Sequence, residues 1–328
     1  MARSSLLAIL LLAGNAGAED WHAITSELIK TEMPGYGGLR AFAVNHSTGD
    51  LFLNLSDKGI YRSADLGKTW KRLESPLKGR GEAPGGLQLD PNGGKKLVAA
   101  FIYGSPIAVS PDLGATWKEL DKKTNHVDWC AVDWTDPDMK FILTLKHESG
   151  GLLLASHDSG LSFEEVGKGY GPAWVFDNKT AVVAEMKSKD KPMPRLMRTT
   201  DAGKTFAPVA DANIGANVLP RWRKDTLYWL TDGSLIASAD QGKTWKKLSD
   251  VKGGRFGPIF GTDEQLFVLT GSGILESGDG GATWGKPIAL PKEMKATSPQ
   301  TWIEYDPGND ILYTLQSGSD LYQWNRRK

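Results

Sequence analysis

The chain has 328 residues, 40% of them hydrophobic and 24% charged, a balance that excludes an intrinsically disordered protein. Lys plus Arg and Asp plus Glu each number 39, so there is no basic excess for general binding of nucleic acid or an anionic membrane. The single cysteine, Cys130, excludes an intrachain disulfide framework, while 38 glycines and 12 tryptophans point to many short strands joined by tight turns.

The chain begins with Arg3, a short apolar run over residues 6–13 and the small residues Ala16, Gly17 and Ala18. That order predicts an export leader of residues 1–18, cleaved after Ala18. The run is too short to span a bilayer, and no later run reaches 18 apolar residues. Residues 19–328 are therefore expected as a single domain, periplasmic or secreted, without membrane insertion.

The first repeat reads as four strands: residues 39–45, 50–55, 59–63 and 69–73. The second strand recurs as a short apolar run at 96–101, 140–145, 180–185, 226–230, 265–270 and 310–315. Such runs suit strands covered on both faces. Between the third and fourth strands lies an octapeptide, S/T-x-D-x-G-x-T/S-W/F, first at residues 63–70 and then at 110–117, 156–163, 199–206, 238–245 and 277–284. Its aspartates are Asp65, Asp112, Asp158, Asp201, Asp240 and Asp279, spaced by 47, 46, 43, 39 and 39 residues. A period near 40 with strands between is the signature of a propeller with one repeat per blade. The Asp accepts bonds from nearby backbone N–H groups, the Gly adopts a left-handed backbone, and the aromatic residue starts the next strand. These residues read as structural staples. An EF-hand reading fails for want of oxygen ligands and of the terminal Glu.

The last repeat has three strands, at 302–306, 310–316 and 321–324, and no octapeptide. Residues 21–24, Trp-His-Ala-Ile, resemble the piece that follows each octapeptide, as in Trp-Lys-Arg-Leu at 70–73. The N-terminal strand is thus expected to complete the last blade. The predicted fold is all-β: one seven-bladed propeller with six motif turns, closed by that strand.

The octapeptide resembles the Asp-box, or BNR repeat, of sialidases, sortilin-type receptors, xyloglucanases and photosystem II assembly factors. The resemblance spans nearly all of residues 19–328 and carries the fold rather than an activity. It implies that function sits on the face opposite the Asp-boxes, near the central axis. On this sequence that face is expected to carry Tyr36, Arg40, Asp128, Glu148, Trp174, Arg255 and Trp302 as ligand-binding residues, together with Asp57, Lys58, Arg80, Glu82, Asp232 and the 186–194 loop. Tyr36, Tyr170, Trp174 and Trp302 suit stacking on sugar rings.

The sharpest cluster is His126 and Asp128 on one connection with His147 and Glu148 on the next. Imidazole with carboxylate suits proton transfer or zinc. No HxH or HExxH spacing occurs, so no metal and no cofactor is assigned. The resemblance to propeller-type polysaccharide lyases implies candidate catalytic roles for His126 and His147, with Tyr170 and Arg195 or Arg221 as the tyrosine and arginine of such a site. The sialidase Arg-Ile-Pro motif is absent, since Arg40 stands in Leu-Arg-Ala-Phe. The expected function is an exported binding or scaffold module for a glycan or protein partner, most simply a monomer. The alternative is a lyase or hydrolase of acidic glycans.

Overall fold

The computed structural model describes residues 20–82, 84–215 and 218–327. The predicted leader lies outside the described residues. The described chain is a seven-bladed β-propeller in which each blade is an antiparallel meander. Blade 1 comprises Ala41–Val44, Leu51–Asn54, Ile60–Ser63 and Lys71–Arg72. The innermost strands of blades 2 to 7 are Leu87–Leu89, Val127–Val132, Tyr170–Val175, Arg221–Arg223, Gly254–Phe260 and Thr301–Asp306.

The second strands are the apolar runs of the sequence. Phe52, Val98, Leu143, Val183, Trp229, Phe267 and Tyr313, one per blade, are fully buried, because neighbouring blades cover both faces of each sheet. Blade 6 has three strands plus a single bridge between Ile274 and Ile288 in place of the fourth.

Blade 7 closes the ring. Its strands Thr301–Asp306, Ile311–Gln316 and Leu321–Asn325 are joined by His22–Ala23, which pairs with Gln323 and Tyr322. Trp21 is 6% exposed and donates its indole N–H to the Ala289 carbonyl. Thr25 Oγ1 donates to Asp320 and accepts from the Leu321 N–H. Trp70, the aromatic of the first octapeptide, donates to the Ile24 carbonyl, so the closing strand is also bound to blade 1. A seven-residue helix, Ser26–Glu32, follows on the way into blade 1. No helix among the described residues is long and apolar enough to cross a membrane.

The six motif turns share one geometry. In the first, Ser63 Oγ donates to Asp65 Oδ1 and accepts the Gly67 N–H, both at 2.8 Å. Asp65 then accepts the Thr69 N–H at 2.9 Å and the Thr69 hydroxyl at 2.6 Å. The same bonds recur at Asp112, Asp158, Asp201, Asp240 and Asp279. The residue before the central Gly is also left-handed, as at Leu66 with φ 61°. Hydroxyl and then backbone bonds from Thr244 hold the Asp240 carboxyl down at about 2.

A group depressed in this way stabilises the fold above its unfolded pKa, about 3.9. That contribution is lost as pH falls through the folded value. The melting temperature is therefore expected to drop between about pH 4 and pH 2. Asp240→Ala is expected to cost only about 1 kcal/mol, because water can reach the exposed turn and replace the lost acceptor. Its acid-induced drop should be smaller than that of the wild type. A melting curve for Asp240→Ala identical to wild type at every pH from 2 to 7 would remove the staple role.

Candidate functional site

In a four-strand meander, the turns after strands one and three lie at one end of the blade and the remaining connections at the other. The motif turns therefore share a face with the turns after the innermost strands. The opposite face carries the links between blades and the turns after the second strands.

On that opposite face blades 1, 2 and 3 bring together one polar and aromatic cluster. After the fourth strand of blade 1 the chain forms a two-residue ribbon, Gly79–Arg80 against Tyr103–Gly104. Buried Asn54 anchors it by accepting the Gly81 N–H at 2.9 Å and donating to the Gly79 carbonyl at 3.1 Å. The ribbon holds the largely buried Arg80 between two rings, with its guanidinium 4.9 Å from the Tyr36 ring centre and 5.7 Å from that of Tyr103. Glu82 accepts from Arg80 at 3.2 Å and from Arg40 at 2.6 Å, and Gln300 of blade 7 reaches it at 3.5 Å.

Tyr103 is the bridge to the histidines. Its ring lies 4.8 Å from His126 and 5.6 Å from His147, and the two imidazoles are 5.0 Å apart, centre to centre. A backbone bond from the His147 N–H to the His126 carbonyl, 2.9 Å, fastens the two connections together. His147 Nδ1 makes a short bond to Asp128 Oδ1, leaving Nε2 3.7 Å from Glu148 Oε1. Glu148 has a left-handed backbone (φ 52°) and an exposed side chain, which places its carboxylate beside the imidazoles. His126 Nε2 is shielded from solvent and has no hydrogen-bond partner among the described residues. Burial, then the neighbouring His147, keeps His126 below the usual imidazole range. Burial raises the Asp128 carboxyl, and the bond from His147 only partly opposes it.

The other expected site residues lie elsewhere. Trp302 is 2% exposed within blade 7 and is a core residue, which corrects its placement as a rim aromatic. Trp174 and Arg221 are also corrected, since both line the mouth of the channel on the motif-turn side. A cavity of about 280 Å³ opens there, walled by Trp134, Trp174, Trp222, Arg221 and Glu304. Trp174 stacks on Trp222 at 6.0 Å, and Arg221 pairs with Glu304 at 3.2 Å. Arg195 and Lys191 both bind buried Glu185, at 3.1 and 2.6 Å. Burial would raise that carboxyl, but the two cations prevail and hold it below its usual range. Arg195 is thus committed to pinning the 186–194 loop. Tyr170 packs on Phe206 at 5.5 Å, and its hydroxyl pKa is raised by burial. Arg255 starts blade 6, and its Nε is shielded and without a hydrogen-bond partner among the described residues.

The tyrosine whose ring packs on the imidazoles is therefore Tyr103, with the Arg80 guanidinium 5.7 Å from it, while the Tyr170 ring packs on Phe206 and Arg195 and Arg221 pair with carboxylates. Tyr103 escaped notice in the sequence because its position depends on the ribbon. The facing pair Gly79 and Gly104 was the available signal for that close backbone approach.

No protein-family model matches the chain, and no curated protein matches it by sequence. Solved structures do resemble it. The GH74 enzyme of Niastella koreensis superposes with a TM-score of 0.63 at 14% identity, over 88% of this chain and 43% of that one. The chain thus spans less than half of that enzyme's length. YCF48 from Cyanidioschyzon merolae gives a TM-score of 0.50 at 12% identity, over 94% of this chain and 99% of that one. YCF48 bound to D1 peptide gives 0.52 at 16% identity, over 93% and 96%. Likeness at such identities establishes the propeller fold and leaves the function to the site.

Proposed function

We propose that the protein is an exported binding propeller that holds a protein or peptide partner on the face opposite its motif turns. One observation carries this reading. Of the five large apolar or aromatic side chains exposed among the described residues, Met33, Tyr36, Tyr103 and Met193 stand on connections of that face. The fifth, Leu161, lies in a motif turn. Tyr, Met and Arg are the residue types enriched at protein interfaces, and Arg40 and Arg80 lie among these side chains. A propeller of similar extent, YCF48, has been seen with a peptide bound, which lends the reading support by analogy.

A photo-crosslinking amino acid placed at position 36 or 103 in the producing organism tests the proposal. Adducts with a second protein are expected from both positions and not from position 161. Adducts from position 161 alone, or from none of the three, would count against the assigned face.

The convergence of Tyr103, His126, His147 and Arg80 favours a second reading, an enzyme acting on acidic glycans. Such chemistry needs a base, a proton donor and a cation at one place, and these side chains supply all three types. Exposure of the purified protein to uronate-containing polysaccharides, read by absorbance of an unsaturated product, decides it. No product from any acidic polysaccharide would leave the binding module alone.

A further inference from the structure

We propose that His126, His147 and Glu148 bind one divalent transition-metal ion of the zinc class, with Asp128 orienting His147. One ligand atom from each of the three residues lies within 4.8 Å of the other two. Around a tetrahedral ion with bonds of about 2.0–2.1 Å, ligand atoms sit about 3.3 Å apart. His147 Nε2 and Glu148 Oε1, at 3.7 Å, are already close to that spacing. The widest separation must contract by up to about 1.5 Å, through movement of the exposed Glu148 side chain and rotation of the imidazoles.

The chemistry of the donors selects the ion. Two imidazoles and one carboxylate suit Zn²⁺ and its neighbours rather than Ca²⁺ or Mg²⁺, which take oxygen ligands. Three protein ligands leave a fourth position open for water or a ligand group. Two features go beyond proximity. His147 gives its Nδ1 to a carboxylate, the arrangement by which metal-binding imidazoles are held and made more basic. His126 Nε2 is a shielded nitrogen with no hydrogen-bond partner among the described residues, so no protein group competes for its lone pair or proton. The backbone bond between the two connections holds the histidines together before any ion arrives.

The site lies within the proposed partner-binding face but does not depend on that reading. Metal binding is measured on the purified chain, and partner capture can be repeated on metal-stripped protein. The test uses untagged protein stripped with a chelator, titrated with Zn²⁺ by calorimetry and with Co²⁺ by visible absorption. One ion per chain and intense Co²⁺ bands are expected. His126→Ala and His147→Ala should abolish both signals, and Asp128→Asn should weaken Zn²⁺ binding by about 10–100-fold. Because Glu148 is exposed on a turn, Glu148→Ala should fold normally and still lose most of the affinity. That variant decides the question if either histidine variant proves unstable. No uptake by the wild type, or uptake unchanged in folded Glu148→Ala and His147→Ala, would overturn the proposal.

Discussion

Removal of residues 19–26 is expected to open the ring and to remove most of the chain's stability. The segment contributes the outer strand of blade 7, His22–Ala23, and the buried Trp21 beside it. Truncating a buried Trp alone costs about 3–5 kcal/mol. The deletion also strips the Leu321 N–H of its Thr25 acceptor and Trp70 of its Ile24 acceptor. Each such loss adds about 1 kcal/mol. The total approaches the 5–15 kcal/mol that holds a typical domain folded. It also exposes the free edge of Leu321–Asn325, which invites pairing between chains. Denaturant titration should show a collapse of the midpoint, and light scattering should show association that rises with concentration. Trp21→Ala is the milder version, with a loss of about 3–5 kcal/mol and no aggregation at low concentration. A deletion variant that melts with the wild type would show that the strand is dispensable.

The octapeptides made this closure legible. Each announces where a third strand ends and a fourth begins, so counting them places the blades, and the missing fourth strand must come from the other end of the chain. The same local logic fails for the site. Trp302 looked like a rim residue because it starts a strand, but every residue of Thr301–Asp306 is buried. Trp174 is the fifth residue of Tyr170–Val175. Four steps at about 3.3 Å each carry the chain some 13 Å along the channel, from one mouth toward the other. A residue named for the connection it follows can therefore belong to the opposite face, as Arg221 does too. His126, Asp128, His147 and Glu148 could be grouped because the connections bearing them are neighbours in a meander. Their partner Tyr103 could not, because the ribbon that aims it is an excursion outside the repeat. The sequence alone assigns no metal for a similar reason. The ligands come from two connections 21 residues apart, and short spacing motifs do not register such a site.

Gly104→Ala is expected to dismantle the proposed binding face while leaving the propeller intact. Gly79 and Gly104 face each other across the ribbon, with φ of 146° and 135°. A Cβ on Gly104 would run into the Lys78 carbonyl oxygen and the Gly79 Cα, which are backbone atoms that cannot swing aside. The ribbon must part, and with it the bonds from the Ile102 N–H to the Arg80 carbonyl and from the Ser105 N–H to the Lys78 carbonyl, 2.9 and 2.8 Å. Arg80 and Tyr103 then lose their fixed separation, and His126 loses the ring packed against it. The ribbon is a separate two-stranded sheet, tied to blade 1 through buried Asn54, so the strand pairing within the blades is expected to persist. The cost to global stability should be limited to about 1–3 kcal/mol, the scale of local backbone strain. Hydrogen exchange separates the two levels. Amides of Ile102 and Ser105, protected in the wild type, should exchange rapidly in Gly104→Ala, while amides of central strands such as Leu266–Thr270 keep their protection. Crosslinking from position 36 should fall with them, because Tyr36 rests on Arg80. If Ile102 and Ser105 stay protected in Gly104→Ala, the ribbon tolerates the methyl group, and the face is not built on the close approach of these two glycines.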